Sequence, residues 1–169
     1  MINTDELAVR PLTRDQAEAL LTWRYPAPYD FYNPPSKNEA VINNLLDPKW
    51  LFHGVSQQDN FIGYASFGED GQLPGGHYED DALDIGLGLR PDLTGQGFGL
   101  VFAGAIFDFA VERFAPTALR LTVAELNRRA LHLYLKLSFR EQSAFWHSRT
   151  RYRILIGYRR NAGSQGLDR

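Results

Sequence analysis

The chain has 169 residues, 44% hydrophobic and 13% aromatic, which is enough apolar material for one domain with a sizeable core. A formal net charge of -2, with no sustained run of like charge, argues against a polyanion-binding surface, so nucleic acid is not an expected partner. With no cysteine there is neither a disulfide framework nor a thiol nucleophile, and no apolar segment is long enough to span a bilayer; a cytoplasmic protein without membrane association is expected.

ELAVRPL alternates as a first strand, and Thr13 offers an N-cap to a helix in RDQAEALLTWR, where Ala17, Leu20 and Leu21 recur at helical spacing. The proline-rich YPAPYDFYNPP forbids regular helix and predicts an ordered loop or lid before a second helix over about 37–46. WLFHGVS and FIGYASF, separated by QQDN, predict a hairpin, and the excursion GEDGQLPGGHYEDD leads into a third strand of this group, ALDIGLGLRP. A long apolar helix follows from TGQGFGL and stops at FAP. Then come a strand in ALRLTVA, a helix in ELNRRALHLYLKL and two closing strands in FREQSAFW and RYRILIGY. The order predicts a mixed α/β fold: a mostly antiparallel sheet of about six to seven strands flanked by about four helices, one domain over 1–160 and a frayed tail over 161–169.

The join between ALDIGLGLRP and the long helix carries the strongest chemical signal. Gly95, Gly97 and Gly99 let the backbone approach a ligand closely, and the helix behind them directs unpaired N–H groups and a positive dipole end outward, a combination suited to an anion. Similar turns also serve nucleotides, flavins or packing alone. In the preceding strand, alternation puts Leu83, Ile85, Leu87 and Leu89 on one face and Asp84, Gly86, Gly88 and Arg90 on the other. The two glycines leave the second face hollow, where Asp84 could accept a proton through water; it could equally pair with an arginine. Glu79, Asp80 and Asp81 compete for the acceptor role or form a solvated acidic turn.

Asn127 and Tyr134 lie seven residues apart, about two helical turns, and share one helix face. Asn127 could cap that helix and Tyr134 could pack among its leucines. In the loop from Trp23 to Asn33, Tyr25, Tyr29, Phe31 and Tyr32 with Asp30 could hold a cationic amine, or could order the loop by packing. The four histidines are scattered without metal-ligand spacing, so no metal is expected. Arg149, Arg151 and Arg153 line one face of the last hairpin and read as a solvated strand face.

Two blocks, DIGLGLRPDLTGQGFG and NRRALHLYLKLSF, resemble the GNAT acetyltransferase superfamily, in the right order and separated by one strand. The first is similar to that family's pyrophosphate loop, where a glutamine or arginine precedes glycines three and five residues on. Here the leading position is Thr94 and the glycines are Gly97 and Gly99. The second resembles the segment in which an asparagine begins a helix and a tyrosine follows, before a Gly-Phe pair; Ser138 stands where glycine is usual. The resemblance implies acetyl-CoA as cosubstrate, its pyrophosphate wrapped by Thr94, Gly95, Gln96, Gly97, Phe98 and Gly99, and its amide-rich arm paired with backbone around Leu87 and Leu89 and contacted by Asn127. It implies Tyr134 as general acid, with Asp84 or the nearby acidic turn as base. Direct transfer to a primary amine, on a small molecule or a peptide, is then expected, with Tyr25, Tyr29, Asp30, Phe31 and Asp81 as candidate acceptor contacts. A monomer or homodimer is expected. Two other readings are a non-catalytic acyl-CoA sensor and a dinucleotide-binding oxidoreductase; the second fits worse because TGQGFG lacks GxGxxG spacing and follows an antiparallel hairpin.

Overall fold

A computed structural model of the chain describes residues 6–158; the expected tail at 161–169 lies outside the described residues. The elements follow in the expected order: β1 (Leu7–Pro11), α1 (Arg14–Leu20), α2 (Glu39–Leu46), β2 (His53–Gln57), β3 (Asn60–Phe67), β4 (Leu83–Leu89), α3 (Gly99–Phe114), β5 (Ala118–Ala124), α4 (Arg128–Lys136), β6 (Arg140–His147) and β7 (Thr150–Tyr158). The strands form one seven-stranded sheet in the order β1-β2-β3-β4-β5-β7-β6. Each neighbouring pair is antiparallel except β4 and β5, which run parallel.

Local chemistry sets most element ends. Thr13 caps α1 through a reciprocal capping box with Gln16, in which each side chain takes the other's backbone N–H. Helix α1 ends at Leu20, short of the expected Arg24, because Thr22 donates its hydroxyl to the Ala19 carbonyl and Arg24 turns back onto the carbonyls of Leu21 and Trp23. Asn38 caps α2 through the Val41 N–H. Trp50 sits in a 3-10 turn over Pro48–Trp50, so β2 begins later than the apolar run suggested.

Two apolar layers sandwich the sheet. On one face, Phe102, Ala103, Ile106, Phe107 and Ala110 of α3 and Tyr134 of α4 pack with Ala65, Phe67, Ile85, Leu121, Val123 and Leu155. Each large side chain buried here contributes roughly 1.5–3 kcal/mol. Helix α3 can lie this close because Gly63 has no Cβ: one would fall 2.3 Å from the Phe102 ring. On the other face, Ala17, Leu20, Leu21, Trp23 and Ile42 of the α1–α2 region cover Phe52, Phe61 and Tyr64.

Helix α4 ends in a Schellman pattern, with the Ser138 N–H bonded to the Leu135 carbonyl and the Phe139 N–H to the Tyr134 carbonyl. Ser138 is left-handed, with φ 71, which is the physical reason a glycine is usual there. Ser138→Gly is expected to relieve about 1 kcal/mol of backbone strain and raise Tm by roughly 2–4 °C in thermal unfolding. An unchanged or lower Tm would show that the serine is not strained.

Candidate functional site

Strands β4 and β5 are paired only at Leu83↔Leu119 and Asp84↔Arg120. Beyond that point they part. The Arg90 N–H donates to the Ile62 carbonyl, and the Gly68 N–H donates to the Asp84 carbonyl, each at 2.8 Å. Even-numbered residues of β4 therefore address β3, and antiparallel alternation turns the backbone groups of Leu87 and Leu89 toward the gap. A wedge-shaped groove results, with strand backbone along one wall and a glycine loop at its end.

That loop is built as a cradle. A 3-10 turn over Pro91–Leu93 ends β4, and Gly95 and Gly97 then take φ values of 73 and 85, which side chains disfavour. Helix α3 starts at Gly99 with Phe98 at the N-cap position and no side chain capping it. A Cβ on Gly99 would lie 3.1 Å from Leu133, so this glycine also lets α3 and α4 approach. Gly97 opens onto free space. These residues fit an anion approaching along the axis of α3. The Thr94 hydroxyl donates to the Pro91 carbonyl at 2.8 Å, and the Gln96 amide turns back onto the Asp92 carbonyl, so what the two residues present to the cradle is backbone.

Tyr134 is 7% exposed, and its ring packs with Phe107 and Phe139. Burial, reinforced by the nearby Tyr32 and Tyr64, pushes its phenol well above the usual tyrosine range. Asn127 caps α4 through the Ala130 N–H at 3.2 Å, and its amide donates to the Tyr32 hydroxyl at 3.3 Å. The capping role of Asn127 is thus present, and the cap fixes its side chain beside Tyr32.

The loop 24–33 lies against the same groove. The Tyr25 N–H bonds the Asn33 side chain at 2.6 Å and closes the loop, while the Tyr25 hydroxyl donates to the Leu89 carbonyl at 2.8 Å. Burial raises the pKa of both Tyr25 and Tyr32. Phe31 packs on Tyr32 with ring centroids 4.0 Å apart, and Tyr29 lies under the Arg129 guanidinium, 4.4 Å from its ring centroid. Asp30 opens a 3-10 turn over Asp30–Tyr32 and is exposed.

Asp84 requires a correction. Its carboxylate oxygens accept from Arg120 Nε and Nη2 at 2.6 Å each, and from Gln72 at 2.8 Å, at 3% exposure. The hydrogen bond to Asp84 raises the Arg120 pKa further. A buried carboxylate held by a fork of this kind is structural, because taking a proton would break the pair that keeps Arg120 inside the fold. Asp81 is also displaced from the expected cluster: its carboxylate accepts from Thr117 at 2.9 Å, beside the first residues of β4 and β5 and a strand's length from Leu89. Nor is the glycine face of β4 hollow. A Cβ on Gly88 would fall 2.4 Å from the Tyr64 ring, and one on Gly86 would fall 2.5 Å from the Ser66 hydroxyl.

A hydroxyl and a carboxylate fill that face. Ser66 donates to Asp70 Oδ2 at 2.6 Å, and this oxygen lies 3.5 Å from the Cβ position of Gly86. Partial burial of the carboxyl raises the Asp70 pKa, and burial, helped by the Asp70 charge, pushes the Tyr64 phenol up to about 12. The only hint in the sequence was Gly86 itself, which marks a close approach without naming the visitor. Arg151 and Arg153 share Glu125, and Arg153 also reaches Glu141, so the last hairpin's arginines are less free than expected. With Arg128 and Arg149 they line a surface cavity of about 600 Å³. Among the described residues no cluster suited to a metal ion occurs, and no helix is long and apolar enough to cross a membrane.

Among solved structures, a chimera of the Vibrio cholerae spermidine N-acetyltransferase and hSSAT is similar over 90% of this chain and 95% of its own, at 18% identity and TM-score 0.69. A GNAT-family acetyltransferase from Bacillus anthracis matches over 90% and 95% of the two chains, at 14% identity and TM-score 0.69. A dodecameric spermidine N-acetyltransferase from Vibrio cholerae matches over 91% and 94%, at 20% identity and TM-score 0.66. These likenesses establish the fold. No curated protein matches the sequence significantly. The acetyltransferase (GNAT) family model matches residues 15–139, most of the chain and both motif blocks, and the chain therefore belongs to the GNAT acetyltransferase family.

Proposed function

We propose that the protein transfers an acetyl group from acetyl-CoA directly to a primary amine. The observation that carries this reading is the groove between β4 and β5, with the backbone groups of Leu87 and Leu89 turned into it and the glycine cradle at its end. Acetyl-CoA, when bound, supplies an activated thioester. The backbone of Leu87 and the N–H of Leu89, whose carbonyl is held by the Tyr25 hydroxyl, offer strand-like hydrogen bonds to its amide-rich arm, and the N–H groups around Gly95, Gly97 and Gly99 receive its pyrophosphate.

Asp70 is the proton acceptor in this reading. It takes a proton, through water, from the acceptor's ammonium and leaves a neutral amine to form the C–N bond. Tyr134 passes its phenol hydrogen to sulfur as the C–S bond breaks, then recovers a proton from the newly acylated nitrogen. Of the aromatic and acidic groups of loop 24–33, Tyr25, Asp30, Phe31 and Tyr32 border the acceptor side and favour a cationic amine, while Tyr29 is engaged by Arg129. Spermidine N-acetyltransferases among the structural neighbours make polyamines the first acceptors to assay.

Calorimetric titration with acetyl-CoA, followed by thiol release across a panel of polyamines, small amines and peptide N-termini, tests the proposal. Absence of donor binding would reject it, and binding without turnover would leave an acyl-CoA sensor. Asp70→Asn is expected to lower kcat/KM about 10²-fold with donor affinity unchanged. Because its pKa is raised, the carboxyl releases its proton later than an ordinary aspartate, and activity climbs with pH through that raised value. The Asp70→Asn variant is expected to lose this acidic limb, and a limb that persisted would assign the base elsewhere.

A further inference from the structure

The cradle lacks a cation of its own. No lysine or arginine lies between Pro91 and Leu100, and the side chains of Thr94 and Gln96 are both spent on carbonyls of the same turn. Backbone N–H groups alone would face a doubly charged pyrophosphate. We propose that Arg129, on the neighbouring helix α4, supplies the missing charge and holds the donor's pyrophosphate against Gly95. This inference rests on the acetyl-CoA reading above.

Three observations converge on Arg129. Its Nη1 lies only 2.8 Å from where a Cβ on Gly95 would stand, so the guanidinium is already at the loop, and a side chain at 95 would collide with it. Among the described residues it makes no ion pair; its one recorded partner is the face of Tyr29, at 4.4 Å. Its position is also locally unfavourable. Arg128 and Arg129 occupy the first turn of α4, where no acidic residue offsets them, so both oppose the positive end of the helix dipole. An exposed arginine that is unpaired, misplaced for its own helix and poised over a glycine turn is explained by an anion arriving between α3 and α4. A guanidinium offers two parallel N–H groups to phosphate oxygens, the task a leading arginine would perform from position 94. Until then the Tyr29 ring keeps the side chain extended across the loop.

The test is calorimetric titration of acetyl-CoA into the unaltered protein, Arg129→Ala, Arg129→Lys and the double variant Thr94→Arg with Arg129→Ala. Arg129→Ala is expected to weaken acetyl-CoA about tenfold at low ionic strength, by less as salt is added, with Tm unchanged or slightly higher. Arg129→Lys should retain part of the affinity, and Thr94→Arg should restore most of it in the Arg129→Ala background, an effect that a purely structural role would not produce. The same loss is expected with 3′-dephospho-CoA as probe. If the loss vanished with that probe, the arginine would belong to the ribose phosphate and the assignment to the pyrophosphate would fall. Equal affinities of Arg129→Ala and the unaltered protein would overturn the inference while leaving the donor reading intact. Failure of the unaltered protein to bind would instead reject the donor reading.

Discussion

Tyr134→Phe is expected to lower kcat by about 10²- to 10⁴-fold, the usual contribution of a positioned proton donor, while the calorimetric affinity for acetyl-CoA stays within about twofold. The substitution removes one oxygen and keeps the ring that packs with Phe107 and Phe139, so fold and groove should persist. Burial raises this phenol's pKa, so it remains protonated through the working range and its ionisation cannot create a basic limb near neutrality. Steady-state thiol release with and without the substitution gives the result directly. Undiminished turnover would make the hydroxyl a bystander in a packed helix.

Asp84→Ala is expected to have the largest effect on stability, a loss of about 3–5 kcal/mol. Arg120 would remain 2% exposed with its charge uncompensated, keeping only the Asp80 carbonyl at 3.1 Å and the Tyr78 ring at 5.0 Å. For a chain of this length that corresponds to a fall in Tm on the order of 10 °C. Removing both charges, as Asp84→Leu with Arg120→Leu, should recover much of the loss, because the penalty comes from the orphaned ion. A catalytic base would behave in the opposite way, losing turnover with Tm intact, so thermal unfolding and kinetics on the same variant discriminate the two roles.

Much of the fold was legible because its signals are local. Alternation marked β1 and β4, apolar runs between turn residues marked the other strands, Thr13 and Asn127 announced helix starts, and the glycines before α3 announced a special turn. The sequence marked Ser138 as a departure, and its left-handed position at the end of α4 supplies the reason glycine is usual there. What stayed hidden depends on partners distant in sequence. Whether Asp84 is a base or an arginine's partner could not be decided from its own strand, because the deciding residue, Arg120, lies 36 residues away. Asp70 lies in a polar turn indistinguishable by composition from any loop, and its proximity to Gly86 depends on the β3–β4 register. Nothing in the sequence singles out Arg129; only the packing of α4 against α3 carries it to Gly95.

The brief pairing of β4 with β5 also has a mechanical meaning. The sheet consists of two panels, β1–β4 and β5–β7, hemmed together along a short stretch at Leu83↔Leu119 and Asp84↔Arg120, with the buried ion pair acting as the stitch. Backbone hydrogen bonding across this seam is sparse, and the side chains of α3, packed on Ala65, Phe67 and Ile85 of one panel and Leu121, Val123 and Leu155 of the other, supply the rest of the connection. Amide protons within each panel should therefore exchange in two separable groups, and any molecule bridging the gap would act as a second row of stitches that makes the panels open as one.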